Sequence, residues 1–404
     1  QRYRRGSGSS QSSQKREEQM SALQAGAPFQ HSGRNITQLM QTLMYALLPG
    51  IFASLWFFGF GILINIAIAI TFAVLAEAAM LRLRNRDIRS HLGDRSALVT
   101  ALLFAIAIPP GSPWWLVALG IVFAIVIVKH LYGGLGQNPF NPAMCGYAML
   151  LLAFPLEMTG WHIPFEVITE PQSADNLGIL ILTAEREFLS PLSWGGFKQA
   201  LLLAFPFVAS GVIDISEFVD GLAMATPLIE FKMAGKSAIL AARESGASLF
   251  ARESETAWEI INISYLFGGL FLLYKKIISW HIPLAIIATV FVLAALFYAP
   301  GSVAIYGTPY LHLFGSATMI GAFFIATDPV SAATTRPGKL VYGIIIGVSI
   351  YSIRVWGSYL DSIAFAVLFG NFCAPVLDQY CRPRIFGHGL RSKSRPNEAP
   401  VKRE

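Results

Sequence analysis

The chain is 404 residues long, 54% hydrophobic and only 13% charged, with a mean hydropathy of +0.55. A soluble protein of this length has no interior large enough to hide so many apolar side chains, so the composition excludes the soluble classes and makes the bilayer the main solvent. The formal charge of +6 comes from basic residues scattered among short loops and tails, which argues against a nucleic-acid surface and for membrane topology.

Residues 1–35 are rich in Ser, Gln, Gly, Arg and Lys. They have no apolar periodicity and are expected to form a disordered cytoplasmic tail, with no cleavable signal peptide visible. Beyond them, segments of roughly the 20 apolar residues needed to cross the hydrocarbon core recur. They predict an all-α polytopic membrane protein of about ten transmembrane helices, at 37–59, 61–81, 95–110, 114–131, 140–156, 259–277, 281–299, 309–327, 338–355 and 359–379. The first five fall in a membrane repeat at 36–156 and the last five in a second at 259–380. Between them, residues 157–258 form a mixed-polarity insert. Its apolar run Ala200 to Ile213 contains Pro206 and is short for a span, so it reads as an interfacial or core element of the insert. A basic cytoplasmic tail, 381–404, closes the chain.

Charge tests the count. With the N-terminus inside, the loop holding Arg82, Arg84, Arg86, Arg89 and Arg95 also falls inside, as do Lys275, Lys276, Arg336, Lys339 and the tail after Arg382. The opposite loops, Ile108 to Pro113 and Pro300 to Pro309, carry no charge. The positive-inside rule then puts both termini in the cytoplasm and the large insert outside.

A weak internal repeat is present. Ser96-Ala-Leu-Val-Thr-Ala-Leu-Leu-Phe-Ala-Ile-Ala-Ile-Pro is matched by Ser316-Ala-Thr-Met-Ile-Gly-Ala-Phe-Phe-Ile-Ala-Thr-Asp-Pro, and the Asn-Pro loop near Gly133 by Gly370-Asn-Phe-Cys-Ala-Pro. Two five-span halves have opposite orientations because five is odd, the pattern of inverted-repeat transporters whose broken helices meet near the midplane. Coincidence between Ala-rich spans is the competing reading. The three cysteines, Cys145, Cys373 and Cys381, lack paired ligand spacing, so no metal site is expected; the first two read as packing residues and Cys381 as a surface thiol.

The stretch Asp220-Gly-Leu-Ala-Met-Ala-Thr-Pro-Leu, in the insert, holds the most informative chemistry. A threonine hydroxyl is a poor nucleophile without an activating base, and no neighbouring His or Lys offers one. Thr226 therefore reads either as an ordinary turn residue before Pro227 or as an acceptor modified by another enzyme. Gly221 and Ala225 would permit close approach to such an acceptor, and Pro227 would stiffen the chain after it.

This stretch, together with Gly136-Gln-Asn-Pro-Phe-Asn-Pro-Ala143 and Thr327-Asp-Pro-Val-Ser-Ala-Ala-Thr-Thr335, resembles the signatures of one family. The chain looks like the D subunits of Rnf, or ion-translocating oxidoreductase, electron-transport complexes, and is similar to the B subunits of sodium-pumping NADH:quinone oxidoreductases, which share the family. The likeness runs from about Leu39 to Gly387. The quinone-reductase relatives read Ser-Gly-Ala-Thr where this chain has Ala223-Met-Ala-Thr226, a departure that favours the Rnf branch.

The resemblance implies FMN joined through its phosphate to Thr226, with Asp220, Gly221, Ala225 and Pro227 around it. It also implies a second, non-covalent, riboflavin-like flavin in the membrane domain. Further implications are a periplasmic flavin transferase for maturation and other Rnf-type subunits as partners, among them a periplasmic flavoprotein and iron–sulfur proteins. The chain would be a subunit of a redox-driven translocase in a bacterial inner membrane, moving Na⁺ or H⁺, with no catalysis in isolation. GxGxxG is absent from any strand-turn-helix context, so a nucleotide substrate is left to a partner.

Pro139 and Pro142 break a helix and free backbone groups that Gln137, Asn138 and Asn141 can complement. Asp328, before Pro329, has Thr334 and Thr335 close by. These six polar residues are the further cofactor-binding candidates, and helix capping is their plain alternative. Of the ionisable residues in or near spans, Glu77, Lys129, His130, His312, Arg354 and Asp361, the best ion-pathway candidate is Glu77. Lys129 and Arg354 are expected to reach water from helix ends. Trp56 with Phe57, Trp114 with Trp115, and Trp280 read as an interfacial belt. A solute channel or transporter sharing the inverted-repeat fold, or a structural anchor for redox subunits, would fit the same architecture.

Overall fold

The computed structural model describes residues 35–134, 136–162, 192–205, 223–224, 252–298, 308–357 and 362–381. Five of its helices are long and apolar enough to cross a membrane. They are α1 (Ile36–Phe58) and α2 (Gly61–Leu83), then α9 (Arg252–Tyr274), α13 (Arg336–Val355) and α14 (Ile363–Tyr380). The first of them shows why a span forms here. It buries Met40, Leu43, Leu47, Gly50 and Phe57 while leaving Tyr45, Phe52 and Trp56 exposed. A helix apolar on both faces suits lipid on one side and protein on the other. Phe57, expected in the interfacial belt, therefore belongs to the core.

Between these lie α3 (Ile88–Leu92), α4 (Ser96–Ala107), α5 (Trp114–Phe123), which runs on as a π-helical segment over Ala124–His130, and α6 (Pro142–Ala153). A short α7 (Pro155–Thr159) follows, and α8 (Trp194–Ala204) covers the start of the apolar run noted in the insert. The latter leans on the top of α2, with the Phe197 ring edge-on to Phe60 at 5.6 Å. After α9 come α10 (His281–Leu296), α11 (Pro309–Phe314) and α12 (Thr318–Ile320), the last continuing as a π-helical turn over Gly321–Ile325. The described residues depart from all-helix in one place, a two-residue antiparallel ladder of β1 (Trp161–His162) with β2 (Ala223–Met224).

Two expected spans differ in form. The third, expected over 95–110, is the 12-residue helix α4, buried on nearly every side. The eighth, expected over 309–327, is broken at Gly315 to Ala317 into α11 and α12, and all residues from Thr318 to Ala326 are buried. Hydropathy cannot tell an apolar residue facing lipid from one facing protein; these two elements, the pair matched as a repeat in the sequence, are enclosed by other helices and need not span the full bilayer. The sixth helix begins at Arg252, so the end of the insert is helical rather than loop.

Broken helices free carbonyl groups that no water can reach, and buried side chains take them up. Asn65 on α2 donates to Pro109 O beyond the end of α4 (2.8 Å). Asn262 on α9 donates to Phe314 O at the end of α11 (2.8 Å) and accepts from Met319 N in α12 (3.4 Å), so one amide spans the break. Arg354, 6% exposed, donates to His312 O (2.6 Å), Thr318 Oγ1 (3.0 Å) and Ser362 Oγ (2.9 Å). The expectation that Arg354 reaches water therefore fails: its guanidinium is spent on the break between α11 and α12.

Glycines set the closest approaches. On α13, Gly343 and Gly347, four residues apart, let that helix lie against Ala285 and Thr289 of α10, the small-residue packing common between membrane helices. A Cβ at position 347 would come within 2.7 Å of Thr289 Cβ. Gly347→Leu should lower the melting temperature in detergent and the monodisperse fraction on size exclusion, at a cost of about 1–3 kcal/mol or more. Val348→Leu, on the same helix but 42% exposed, should leave both unchanged.

Candidate functional site

At the end of the bundle away from the arginine-rich loop, called the outer end, α1, α2, α6, α9 and the break between α11 and α12 line a pocket of about 960 Å³, its open mouth included. Its wall is mainly apolar and one end is aromatic. The Trp161 and Trp258 rings lie 5.0 Å apart, and Phe58 contacts them at 5.6 and 5.5 Å. Ser54, Thr159, Asn262 and Tyr265 add polar groups.

The ladder gives this end its interest. Trp161 sits opposite Met224 and His162 opposite Ala223, so the strand that leads into the Thr226 motif is hydrogen-bonded to the strand that carries a wall of the cavity. Asp220, Gly221, Ala225, Thr226 and Pro227 themselves lie outside the described residues, as does Asp361.

A second pocket, of about 550 Å³ with its open mouth included, lies at the opposite end, called the inner end. Lys129, Ser96, Thr100, Asn138, Asn141 and Asp328 line it together with Phe324 and Val99. Asn141 caps α6, its Oδ1 accepting from Met144 N (3.3 Å), while its Nδ2 reaches Ile325 O on the π turn of the other half (3.4 Å). Asn138 donates to Phe140 O (2.9 Å) and holds the loop closed. Gln137 is exposed and stands apart from both cavities. The Asn-Pro loop thus brings two of its three polar candidates to one wall.

Asp328 reaches the same cavity from the end of the π turn and also lines a neighbouring one with Thr327, Thr334 and Lys339. Its carboxylate accepts from Ser331 Oγ (2.8 Å) and Val330 N (3.4 Å). Burial pushes this carboxyl above the ordinary carboxylate range, and those hydrogen bonds draw part of the shift back. Thr335 caps α13 through Gly338 N (3.1 Å). The backbone amides of Thr334 and Thr335 both donate to Asp378, at 2.9 and 3.2 Å. Asp378 went unnoticed in the sequence because it lies 44 residues from Thr334; a lone carboxylate near the end of an apolar helix was its only signal.

The most concentrated electrostatics sit beside the inner cavity. Lys129 Nζ donates to both Glu77 carboxylate oxygens and to Ser96 Oγ, each at 2.8 Å. His130 Nε2 lies 3.0 Å from Glu77 Oε2. Ser96 in turn donates to Asp94 Oδ1 (2.6 Å), and Arg84 clamps His130 O (3.0 Å). Glu77 and Lys129 are each 3% exposed or less, so Lys129 does not reach water as expected. The π-helical segment over Ala124–His130 is where both basic residues sit, and a buried carboxylate needs such partners to remain charged.

The family model described as NQR2, RnfD, RnfE matches residues 23–387. The chain belongs to that family. It is 45% identical over 366 residues to the D subunit of the ion-translocating oxidoreductase complex of Vibrio cholerae serotype O1 (strain M66-2), covering 90% of this chain and 99% of the relative. It is 43% identical over 364 residues to the protein of that name from Aliivibrio salmonicida (strain LFI1238), with coverages of 90% and 97%. The Yersinia enterocolitica (serotype O:8 / biotype 1B) relative, which carries the same name, is 43% identical over 369 residues, with coverages of 90% and 98%. The NQR2, RnfD, RnfE family match spans both cavities and the charged cluster.

Within this family member the Glu77–Lys129 pair can be weighed directly. Removing one partner strands a buried charge, at a cost of about 3–5 kcal/mol, whereas removing both does not. Lys129→Met and Glu77→Leu should each lower the melting temperature of the purified protein, and the double variant should lie closer to wild type than either. Additive losses would show that the two side chains act independently.

Proposed function

We propose that this chain is a membrane subunit of an ion-translocating oxidoreductase complex, carrying FMN esterified to Thr226 and relaying electrons between a periplasmic flavoprotein and cofactors in the membrane, coupled to Na⁺ or H⁺ transport. The observation that carries the reading is the ladder that ties the strand two residues before Thr226 to Trp161, on the wall of the outer cavity. The relatives from ion-translocating oxidoreductase complexes, alike over nine-tenths of the chain, supply the class of complex.

The residues fit two flavins. In the outer cavity, Trp161, Trp258 and Phe58 offer flat apolar faces that exclude water, while Ser54 and Asn262 offer polar contacts at the far wall. In the inner cavity, Asn138 and Asn141 each keep a second amide hydrogen beyond the one given to Phe140 O or Ile325 O, a donor suited to the carbonyl-rich edge of a non-covalent flavin. A flavin bound at either place supplies one- and two-electron chemistry. The protein's part is to bind, orient and keep water out. Lys129 lines this cavity while its partner Glu77 does not, so the neutral pair turns its positive end toward that space.

In this reading the ten segments form two inverted halves in a bacterial inner membrane, with both termini cytoplasmic and the insert periplasmic. Matching cations support it, with the expected spans counted in chain order: Lys129, near the end of the fourth span, bonds Ser96 at the head of the third. Arg354, near the end of the ninth, bonds Thr318 in the broken eighth. A flavin transferase would load Thr226, and iron–sulfur and flavoprotein subunits would complete the electron chain.

The test is a denaturing gel viewed under ultraviolet light, using protein made in cells that also make the transferase. A fluorescent wild-type band and a dark Thr226→Ala band are expected. A dark wild-type band would shift the reading to a solute transporter of the same architecture, and a fluorescent Thr226→Ala band would move the attachment elsewhere.

A further inference from the structure

The outer and inner cavities share a wall, and that wall is the π-helical turn Gly321–Ile325. Ile325 lines the outer cavity and Phe324 the inner one, so consecutive residues face opposite chambers. Tyr265, on α9, lines the outer chamber and meets Phe324 across the wall. The two rings are 6.1 Å apart between centroids and 73° from coplanar, an edge-on contact. Both are sealed inside, Tyr265 at 2% exposure and Phe324 at 1%.

Their seats are built from glycine. A Cβ on Gly50 of α1 would overlap the Tyr265 ring, and one on Gly268 of α9 would lie 3.1 Å from Phe324 Cζ while overlapping Ala46 O. No side chain larger than hydrogen leaves room for these rings, and none of the helices can part without opening a void around them.

We propose that Tyr265 and Phe324 form the electron bridge between the two chambers. The proposal rests on the reading of both cavities as flavin seats. One electron at a time leaves the reduced outer carrier, which is oxidised, and arrives on the inner carrier, which is reduced; only the electron crosses, no bond forms or breaks, and neither ring changes oxidation state. Tunnelling falls off steeply with distance and more steeply across empty space than through packed atoms. The edge-on ring pair joins a residue lining one chamber to a residue lining the other by side chains in contact. The Tyr265 hydroxyl has no part in this transfer.

The experiment uses the assembled complex carrying Tyr265→Leu, Phe324→Leu or Tyr265→Phe in this chain. Flavin content is measured first, by in-gel fluorescence for the covalent group and acid extraction for the other. A wild-type complex lacking either flavin would sink the two-seat reading before the bridge is tested. With both flavins present, reduction potentials are titrated spectroelectrochemically and transfer between the flavins is followed by rapid-mixing absorbance. Both Leu variants should keep flavin content and potentials while inter-flavin transfer slows by an order of magnitude or more; Tyr265→Phe should transfer at the wild-type rate. Full-rate transfer in Phe324→Leu, slow transfer in Tyr265→Phe, or loss of flavin from the Leu variants would each overturn the bridge, the last by making the rings mere cavity wall. Should a Leu variant fail to assemble, Tyr265→Met and Phe324→Met fill more of the space with a flexible side chain, and the same slowing is expected of them.

Discussion

Inside a bilayer no water stands ready to satisfy a broken backbone, and that constraint governs this molecule. Its interior is interrupted repeatedly, after α4, between α11 and α12, and along two π-helical stretches. Three of these interruptions have dedicated side chains: Asn65 for Pro109 O, Asn262 for both sides of the α11–α12 break with Arg354 for His312 O, and Asn141 for Ile325 O. Three of the four residues are amides, whose donor and acceptor reach in two directions without bringing a charge.

The cavities follow from the interruptions. A protein made only of continuous helices packs side chain to side chain and leaves little space at its centre. Here the short, enclosed α4 and the broken α11–α12 element stop short, and the room they leave becomes an outer chamber with an aromatic end and an inner chamber whose mainly apolar wall carries a group of polar residues. The Glu77–Lys129 pair stands beside the inner chamber only, so the two differ in electrostatic character as well as in lining.

How much of this could be read beforehand depends on the range of the interaction. Most of the helical segments and the Asn-Pro loop were legible, because apolar runs and proline are local signals. Asn141 was a candidate because it precedes a proline, and it does cap α6. By contrast Glu77 and Lys129 are 52 residues apart, and nothing local marks them as partners; the lysine near a helix end looked like one that reaches water. Tyr265 and Phe324 are two among many aromatics in the sequence, 59 positions apart, and nothing local marks them as partners. The shortness of α4 was hidden because a buried apolar residue and a lipid-facing one are equally hydrophobic.

The wall between the chambers has one more consequence. Its facing surfaces are rings and aliphatic chains, Tyr265, Phe324, Ile320 and Ile325, with Met144 alongside. A hydrated cation would have to strip its water to pass, with no ring of carbonyl or carboxylate oxygens to replace it. The partition is thus an electrical insulator toward ions at the point where the chambers come nearest. In the proposed reading, ions would therefore take a path separate from that of the electrons.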